Sequence, residues 1–437
     1  MPSPGDAETN AEISSIVSGL KPLPRFLPFS PPSIGPFEIE AVTEALKSLW
    51  LTTGPRAERF EGVMAQHLGT SGALALSSCT AGLHLGLKVM GLGPGQAIVT
   101  SPLTFVSTAH AAVYNRARVF LCDISPDTGN LDPDKLEEFF EKECYSGYFG
   151  FPIHRKTGLA VRALAPVHYG GHPADLARLW EIAIKHKLGI IEDAAHALGS
   201  VLNGFPIGHP GHRPKEAGDL PSLAAFSFYA TKNISTGEGG LLVSSDQELL
   251  ARARKLSAYG ITDARRIWDR YAPQGTWAYD VDELGHKCNF TDIQAALGLA
   301  QMSRLAEFQG QRANHAQIWA KALGSLTNLV ELPVTREGVV HSWHLYPLRL
   351  KPRALKISRD KFIMALKALN IGTSVMFIPI HYHSYYRKLL GYKEGDFPVA
   401  EDFFSREVSL PLSPAHSAEA IEEAALVITK LLEKHAR

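Results

Sequence analysis

The 437-residue chain is long enough for a large and a small domain around an extensive buried core. Its 44 basic and 44 acidic residues cancel, so no bulk field favours nucleic acid or an anionic membrane, and a small-molecule ligand is expected. Cys79, Cys122, Cys144 and Cys288 are scattered and form no CxxC pair, which argues against a zinc ribbon or a disulfide framework and for a cytoplasmic protein.

Residues 1–25 lack a basic start and a long apolar run; they read as a flexible tail, not a signal peptide. No later stretch reaches the roughly 18 consecutive apolar residues that a bilayer span needs. From Pro36, Ile39, Val42, Leu46 and Leu49 recur at helical spacing, with a stop near Thr52, Thr53, Gly54 and Pro55. Short apolar strands then alternate with helical segments. The strands are expected at Ala97–Thr100, Val119–Asp123, Ala163–His168, Gly189–Asp193, Ala224–Phe228 and Gly240–Ser244, with a helix at Asp175–Lys187. Such alternation implies an α/β fold whose mostly parallel sheet binds ligands beyond the carboxyl ends of its strands.

Residues 26–300 would form this large domain. A long helix over Asp292–Leu323 would bridge to a smaller α/β domain in 301–437, with strands at Trp343–Leu350 and Thr373–Phe377 and helices at Arg359–Leu369 and Ala418–Lys434. Two segments, Glu143–Gly158 and His209–Ser222, read as surface insertions. The GLGPG run at 91–95 lacks the order of a dinucleotide-binding loop, and no GxxxxGK phosphate loop occurs, so NAD and ATP are poor candidates.

Chemistry concentrates in two places. In AFSFYATKNISTGEGGLLVSSD (225–246), Lys232 sits between a strand-like run and a glycine-rich turn; in IIEDAAHALGS (190–200), an apolar strand ends in Glu192 and Asp193, with His196 close behind. A lysine for an aldehyde and an acid for a ring nitrogen are the parts that a pyridine-aldehyde cofactor needs. The residues by themselves leave other readings open. Lys232 alone could be a surface lysine, Asp193 could cap a following helix, and Ser78 or Thr80 could cap the helix that begins in SSCTAGLHLGL (77–87). His381 and His383 in IHYHSYY, and His341 and His344 in HSWHLY, fit no standard zinc spacing.

Together with SPLTFVSTAHA (101–111) and GHKCNFTDIQAALG (285–298), these motifs resemble, in order and from about Phe26 onward, the DegT/DnrJ/StrS nucleotide-sugar aminotransferases. That resemblance implies a fold-type I, aspartate-aminotransferase-like homodimer that uses pyridoxal 5'-phosphate. It implies Lys232 as the Schiff-base and proton-transfer residue, Asp193 on the pyridine nitrogen, His196 near the ring hydroxyl and Phe105 stacked on the ring. Thr80, Ala81 and Ser227 would hold the phosphate, and Asn289 would reach a neighbouring subunit's cofactor. Cys79 departs from the glycine usual in the family's phosphate turn. Lys287, Thr53 and His381 are candidate substrate contacts, and Trp268 and Trp277 are candidate contacts to a base. Asn at 289 resembles the branch acting on UDP-linked sugars, which implies transfer from glutamate to a UDP-4-keto sugar. The lysine at 232 sets the resemblance apart from sugar dehydratases with histidine there, and no DNA-binding module is attached as in a regulator.

Overall fold

The computed structural model describes residues 4–262 and 279–437, with side chains from residue 11 onward. The principal strands are β1 (Gly72–Leu76), β2 (Gln96–Thr100), β3 (Arg118–Leu121), β4 (Ala160–Leu164), β5 (Gly189–Asp193), β6 (Ser222–Ser227) and β7 (Gly240–Ser244). They pair in the order β1-β7-β6-β5-β4-β2-β3; every contact from β6 to β3 is parallel, and β7 runs antiparallel to both its neighbours. Strand β5 is buried along its whole length, which explains its unbroken apolar run. Two apolar cores form, one containing Phe60, Trp180 and Phe226 and the other Leu83, Ile191 and Leu242.

Helices α1 (Pro4–Val17), α2 (Pro36–Lys47), α3 (Pro55–Leu68) and α4 (Cys79–Val89) precede most of this sheet, and α5 (Val106–Tyr114) follows β2. The segment expected as a long bridging helix is two helices, α6 (Asp292–Ser303) and α7 (Leu305–Leu323), parted at Arg304 with φ −104° and ψ 2°. The small sheet places β9 (Tyr346–Leu350) between β8 (Val330–Glu331) and β10 (Glu407–Leu410). Its core includes α7, α8 (Arg359–Ala368) and α9 (Ala418–Lys434).

Three expectations are corrected. The tail carries α1, whose Ile13 and Ile16 are buried with α8 residues; Lys434 donates to the carbonyls of Ile16 and Ser18. Two isoleucines three residues apart provide the anchoring that the polar composition hid. Thr373–Phe377 forms only an isolated antiparallel bridge, Ser374 to Ser409. No helix follows Asp193, because Ala194–Gly199 is a run of turns. The insertion at 143–158 includes a hairpin, Cys144–Ser146 with Pro152–His154, joined to β4 at Ala160. Among the described residues no helix is long and apolar enough to cross a membrane, and no cluster of three His, Cys, Asp or Glu could hold a metal.

The entry to α3 has glycine at its N-cap, so its first amides need another acceptor. The fully buried Asp292 carboxylate of α6 accepts from the Arg56 and Ala57 amides at 3.1 and 2.9 Å. Asp292→Ala strands both donors and should cost about 1–3 kcal/mol in urea denaturation; a variant as stable as the parent would show that the cap contributes nothing.

Candidate active site

Beyond the carboxyl ends of β5 and β6 lies a cavity of about 480 Å³, within the range of small-molecule sites. It is lined by the start of α4, by Phe105, by Asp193 and His196, by Ser227 and Lys232, and by Met376 and Phe377 from the small-domain side. Strand β5 is paired on both sides, so its last residue, Asp193, is fixed in register opposite Ala225. One Asp193 oxygen accepts from Thr108 Oγ1 at 2.6 Å and the other from the Ala195 amide at 3.2 Å, within the turn. Burial raises its pKa, an effect opposed by these two donors, Lys232 and His168. A carboxylate held this way favours a positive partner.

Lys232 stands in the loop between β6 and β7 and is half-buried. Its amide donates to the Tyr229 carbonyl at 2.9 Å, and the next residue, Asn233, donates through Nδ2 to the carbonyls of Leu198 and Ser342 at 3.1 and 2.9 Å. The turn is therefore pinned to both domains. Desolvation brings the Lys232 pKa down to about 8, against the opposing pull of Asp193, while buried Arg312 adds a smaller depression. At pH 7 about a tenth of such an amine is neutral, compared with less than about one part in a thousand for an ordinary lysine.

His196 is buried and its pKa falls well below the ordinary value through desolvation, with Lys232 contributing. Its Nδ1 accepts from the Gly170 amide at 3.2 Å, which places the proton on Nε2 and makes that nitrogen a donor. The ring stacks on Phe377, with centroids 5.6 Å apart and planes at 25°, and leans on His344 at 4.2 Å. Phe105 is 56% exposed, unlike an ordinary core phenylalanine, and its ring contacts that of Phe377, also in the lining, with centroids 5.8 Å apart.

At the other end, Ser78 is the N-cap of α4, and its Oγ accepts from the Ala81 amide at 3.1 Å. Ala81 is therefore satisfied by the cap and does not line the cavity; the amides of Cys79 and Thr80, which have no intrahelical acceptor, sit at the cavity wall instead. Helix-start amides and the helix dipole suit an anion. Ser227 lines the same cavity. An ideal Cβ on Gly240 would lie 2.2 Å from the Ser78 carbonyl carbon and 2.3 Å from the Cys79 nitrogen, so only glycine lets β7 run this close to the helix start. Cys79 is buried and kept as a thiol by desolvation; its Sγ donates to the Ala225 carbonyl at 3.5 Å. These residues fit pyridoxal phosphate: an amine of lowered pKa, a desolvated carboxylate and an anion cradle share one cavity.

The remaining candidates are elsewhere. His381 is fully buried and paired through Nε2 with Glu401 at 2.9 Å, so it serves packing and not the cavity. Asn289 Nδ2 donates to Thr53 Oγ1 at 2.6 Å, and that hydroxyl donates to the Phe290 carbonyl; the Lys287 ammonium lies 5.5 Å from the Tyr259 ring. These three residues do not line the cavity. Trp268 and Trp277 lie outside the described residues. The sequence reading missed Met376, Phe377, Tyr229 and Glu238, all in the lining. No local pattern marks the first two, because they reach the site from more than 140 positions away.

Residues 32–430 match the DegT/DnrJ/EryC1/StrS aminotransferase family. The chain is 41% identical over 399 residues to the spore coat polysaccharide biosynthesis protein SpsC of Bacillus subtilis, covering 91% of this chain and 95% of that one. The putative sugar aminotransferase Spr1654 of Streptococcus pneumoniae, solved in a PMP form, superposes with a TM-score of 0.81 at 28% identity, covering 93% of this chain and 99% of that one. Helicobacter pylori PseC, an aminotransferase of pseudoaminic acid biosynthesis, gives 0.79 at 25% identity over 94% and 100%.

Covalent capture of pyridoxal phosphate by cofactor-free protein requires neutral Lys232, so its rate should rise with pH and reach half-maximum near pH 8; a midpoint near 10.5 would contradict the lowered pKa. The Gly240→Ala substitution forces β7 from the α4 start and should weaken cofactor binding about 10- to 100-fold, the equivalent of 1–3 kcal/mol of overpacking strain. Equilibrium dialysis reads that change, and unaltered affinity would show that the close approach does not govern the anion cradle.

Proposed function

Because the chain belongs to the DegT/DnrJ/EryC1/StrS aminotransferase family, we propose that it moves an amino group from glutamate to the 4-keto position of a UDP-linked sugar as a cytoplasmic homodimer. The placement of Lys232, Asp193 and the α4 amides around one cavity carries this reading. Pyridoxal phosphate is the cofactor, and when bound it supplies the electron sink for breaking and forming C–H bonds next to nitrogen. The protein's own groups supply the rest. As a neutral amine Lys232 would take a proton from carbon and as the ammonium return one to carbon within each half-reaction, from the donor carbon in the first and to the sugar carbon in the second; its low pKa makes both directions accessible near neutral pH. Asp193 would hold the proton on the ring nitrogen, and His196, with its proton on Nε2, would donate to the ring hydroxyl. Cys79 and Thr80 amides, with Ser227, anchor the phosphate. Phe105 and Phe377, in ring contact with each other, exclude water from the part of the cavity they line.

Asn289 and Thr53 support the dimeric reading, since this hydrogen-bonded pair is not in the lining of its own cavity and Thr53 follows Leu49, Trp50 and Leu51, which are 85%, 54% and 46% exposed. Apolar surface of this kind calls for cover, and a second copy would carry Asn289 to the neighbouring cofactor phosphate. The sugar assignment follows the resemblance of the Asn289 segment to the UDP-sugar branch, and the names of SpsC and PseC, from spore coat polysaccharide and pseudoaminic acid biosynthesis, support a product destined for a polysaccharide or an amino sugar acid.

Holoenzyme incubated with glutamate alone should release one 2-oxoglutarate per bound cofactor, and Lys232→Ala should release none and lose the visible absorbance of lysine-bound cofactor. Full turnover by Lys232→Ala would overturn the assignment. In a panel of UDP- and thymidine-linked 4-keto sugars, the UDP compounds should show the higher kcat/KM; preference for thymidine would reject the nucleotide. The Asn289→Ala variant should bind cofactor less tightly, by about 10-fold, and unchanged affinity would remove the cross-subunit contact.

A further inference from the structure

The wall that Met376 and Phe377 present to the cavity belongs to a segment with almost no regular structure, and two buried side chains hold it. Ser374 and Ser409 form an antiparallel bridge, exchanging hydrogen bonds of 3.3 and 2.9 Å. The same register carried two residues further would set Met376 opposite Glu407 and give the Met376 amide a backbone acceptor. The Glu407 side chain takes that bond instead, its Oε2 accepting from the Met376 amide at 2.9 Å, while its own backbone is paired on the far side with Arg349. The Met376 carbonyl is held as well, accepting from the Tyr169 hydroxyl. Glu407 and Tyr169 are 0% and 1% exposed and come from the small sheet and from the turn after β4, respectively. The next residue, Phe377, stacks on His196 and faces Phe105.

We propose that Glu407 and Tyr169 clamp the Met376 peptide from opposite sides of the domain junction and so set the position of Phe377 over the cofactor cavity, making Glu407 a positioning residue for amino transfer. This rests on the reading of the cavity as the cofactor site. The groups facing Glu407 are Ser409 Oγ, hydrogen-bonded to Oε1, the Met376 amide, the Tyr169 hydroxyl, and more remotely Arg359, which is engaged by Asp360 and the Phe404 carbonyl. Among the described residues no cation pairs with it. Burial lifts its pKa to about 8, so at neutral pH it is an uncharged acid that accepts from Met376 on Oε2 and is hydrogen-bonded to Ser409 through Oε1. An apolar residue at 407 would leave the Met376 amide buried without an acceptor. Deprotonation above about pH 8 places an uncompensated charge in the closed junction, which loosens the wall.

The test compares holoenzyme carrying Glu407→Gln, Glu407→Ala or Tyr169→Phe with the parent, reading cofactor affinity and the glutamate half-reaction from pH 6 to 9.5. Gln can replace the protonated acid in both bonds, so Glu407→Gln should keep parental rates near pH 7 and lose the decline that the parent shows above about pH 8. Glu407→Ala should lower the half-reaction rate roughly 10- to 100-fold, with Tyr169→Phe in between. If Glu407→Ala does not fold, the pH profile of Glu407→Gln decides. The same alkaline decline in parent and Glu407→Gln, or parental rates in a folded Glu407→Ala, overturns the clamp. A parent protein that binds no pyridoxal phosphate would fail the cavity reading itself, a result distinct from failure of the clamp.

Discussion

The site depends on desolvation shared by two groups of opposite charge, Lys232 and Asp193, at the ends of neighbouring parallel strands. A lysine lowered from 10.5 to about 8 has given up roughly 3 kcal/mol of charged-state stability, which open solvent would restore. The same burial raises Asp193, while Thr108 and Ala195 limit how far. Neither group is fully satisfied by the protein. An amine ready to be neutral and a carboxylate short of a cation suit a cofactor that brings an aldehyde and a protonated ring nitrogen.

Keeping that environment closed requires the two domains to agree on position. Ser342, from the strand-free approach to β9, donates through Oγ to the His196 carbonyl at 2.7 Å, and its own carbonyl accepts from Asn233 beside Lys232. Gly171 permits this approach, since an added Cβ would lie 2.1 Å from Ser342 Oγ at a φ of +97°. His344 then packs on His196, so the HSWHLY segment is a brace between the lysine loop and the histidine turn. The small domain thereby supplies one wall of the cavity and fixes the Lys232 loop, although Lys232, Asp193 and His196 all come from the large sheet and its loops.

The legible part of the fold was the part with local periodicity. Strand Gly189–Asp193 and helix Ala418–Lys434 have the bounds the pattern gave, because burial on both faces or on one stripe writes itself into the residue order. The errors fall where tertiary contacts outweigh local preference. Arg304 breaks a run of good helix formers while binding Glu38 on α2 and Glu307; Thr373–Phe377 has β-prone residues but is held by side chains; and Ile13 and Ile16 are too few to announce a packed helix. At the site, the Ala81 amide is taken up by its own Ser78 cap and His381 Nε2 by Glu401, twenty positions on, neither of which a local pattern announces.

The sequence by itself determined the chemistry: a lysine after one strand, an acid at the end of another and a helix start rich in small residues, each a short-range pattern that a single strand-loop or loop-helix unit can carry. Only the tertiary structure decided what those groups feel and what encloses them. The neutral Nε2–H form of His196, the free amides of Cys79 and Thr80, and the Phe377 wall with Glu407 behind it all arise from contacts between residues far apart in the chain, where burial and hydrogen-bond competition, not residue type, set the outcome.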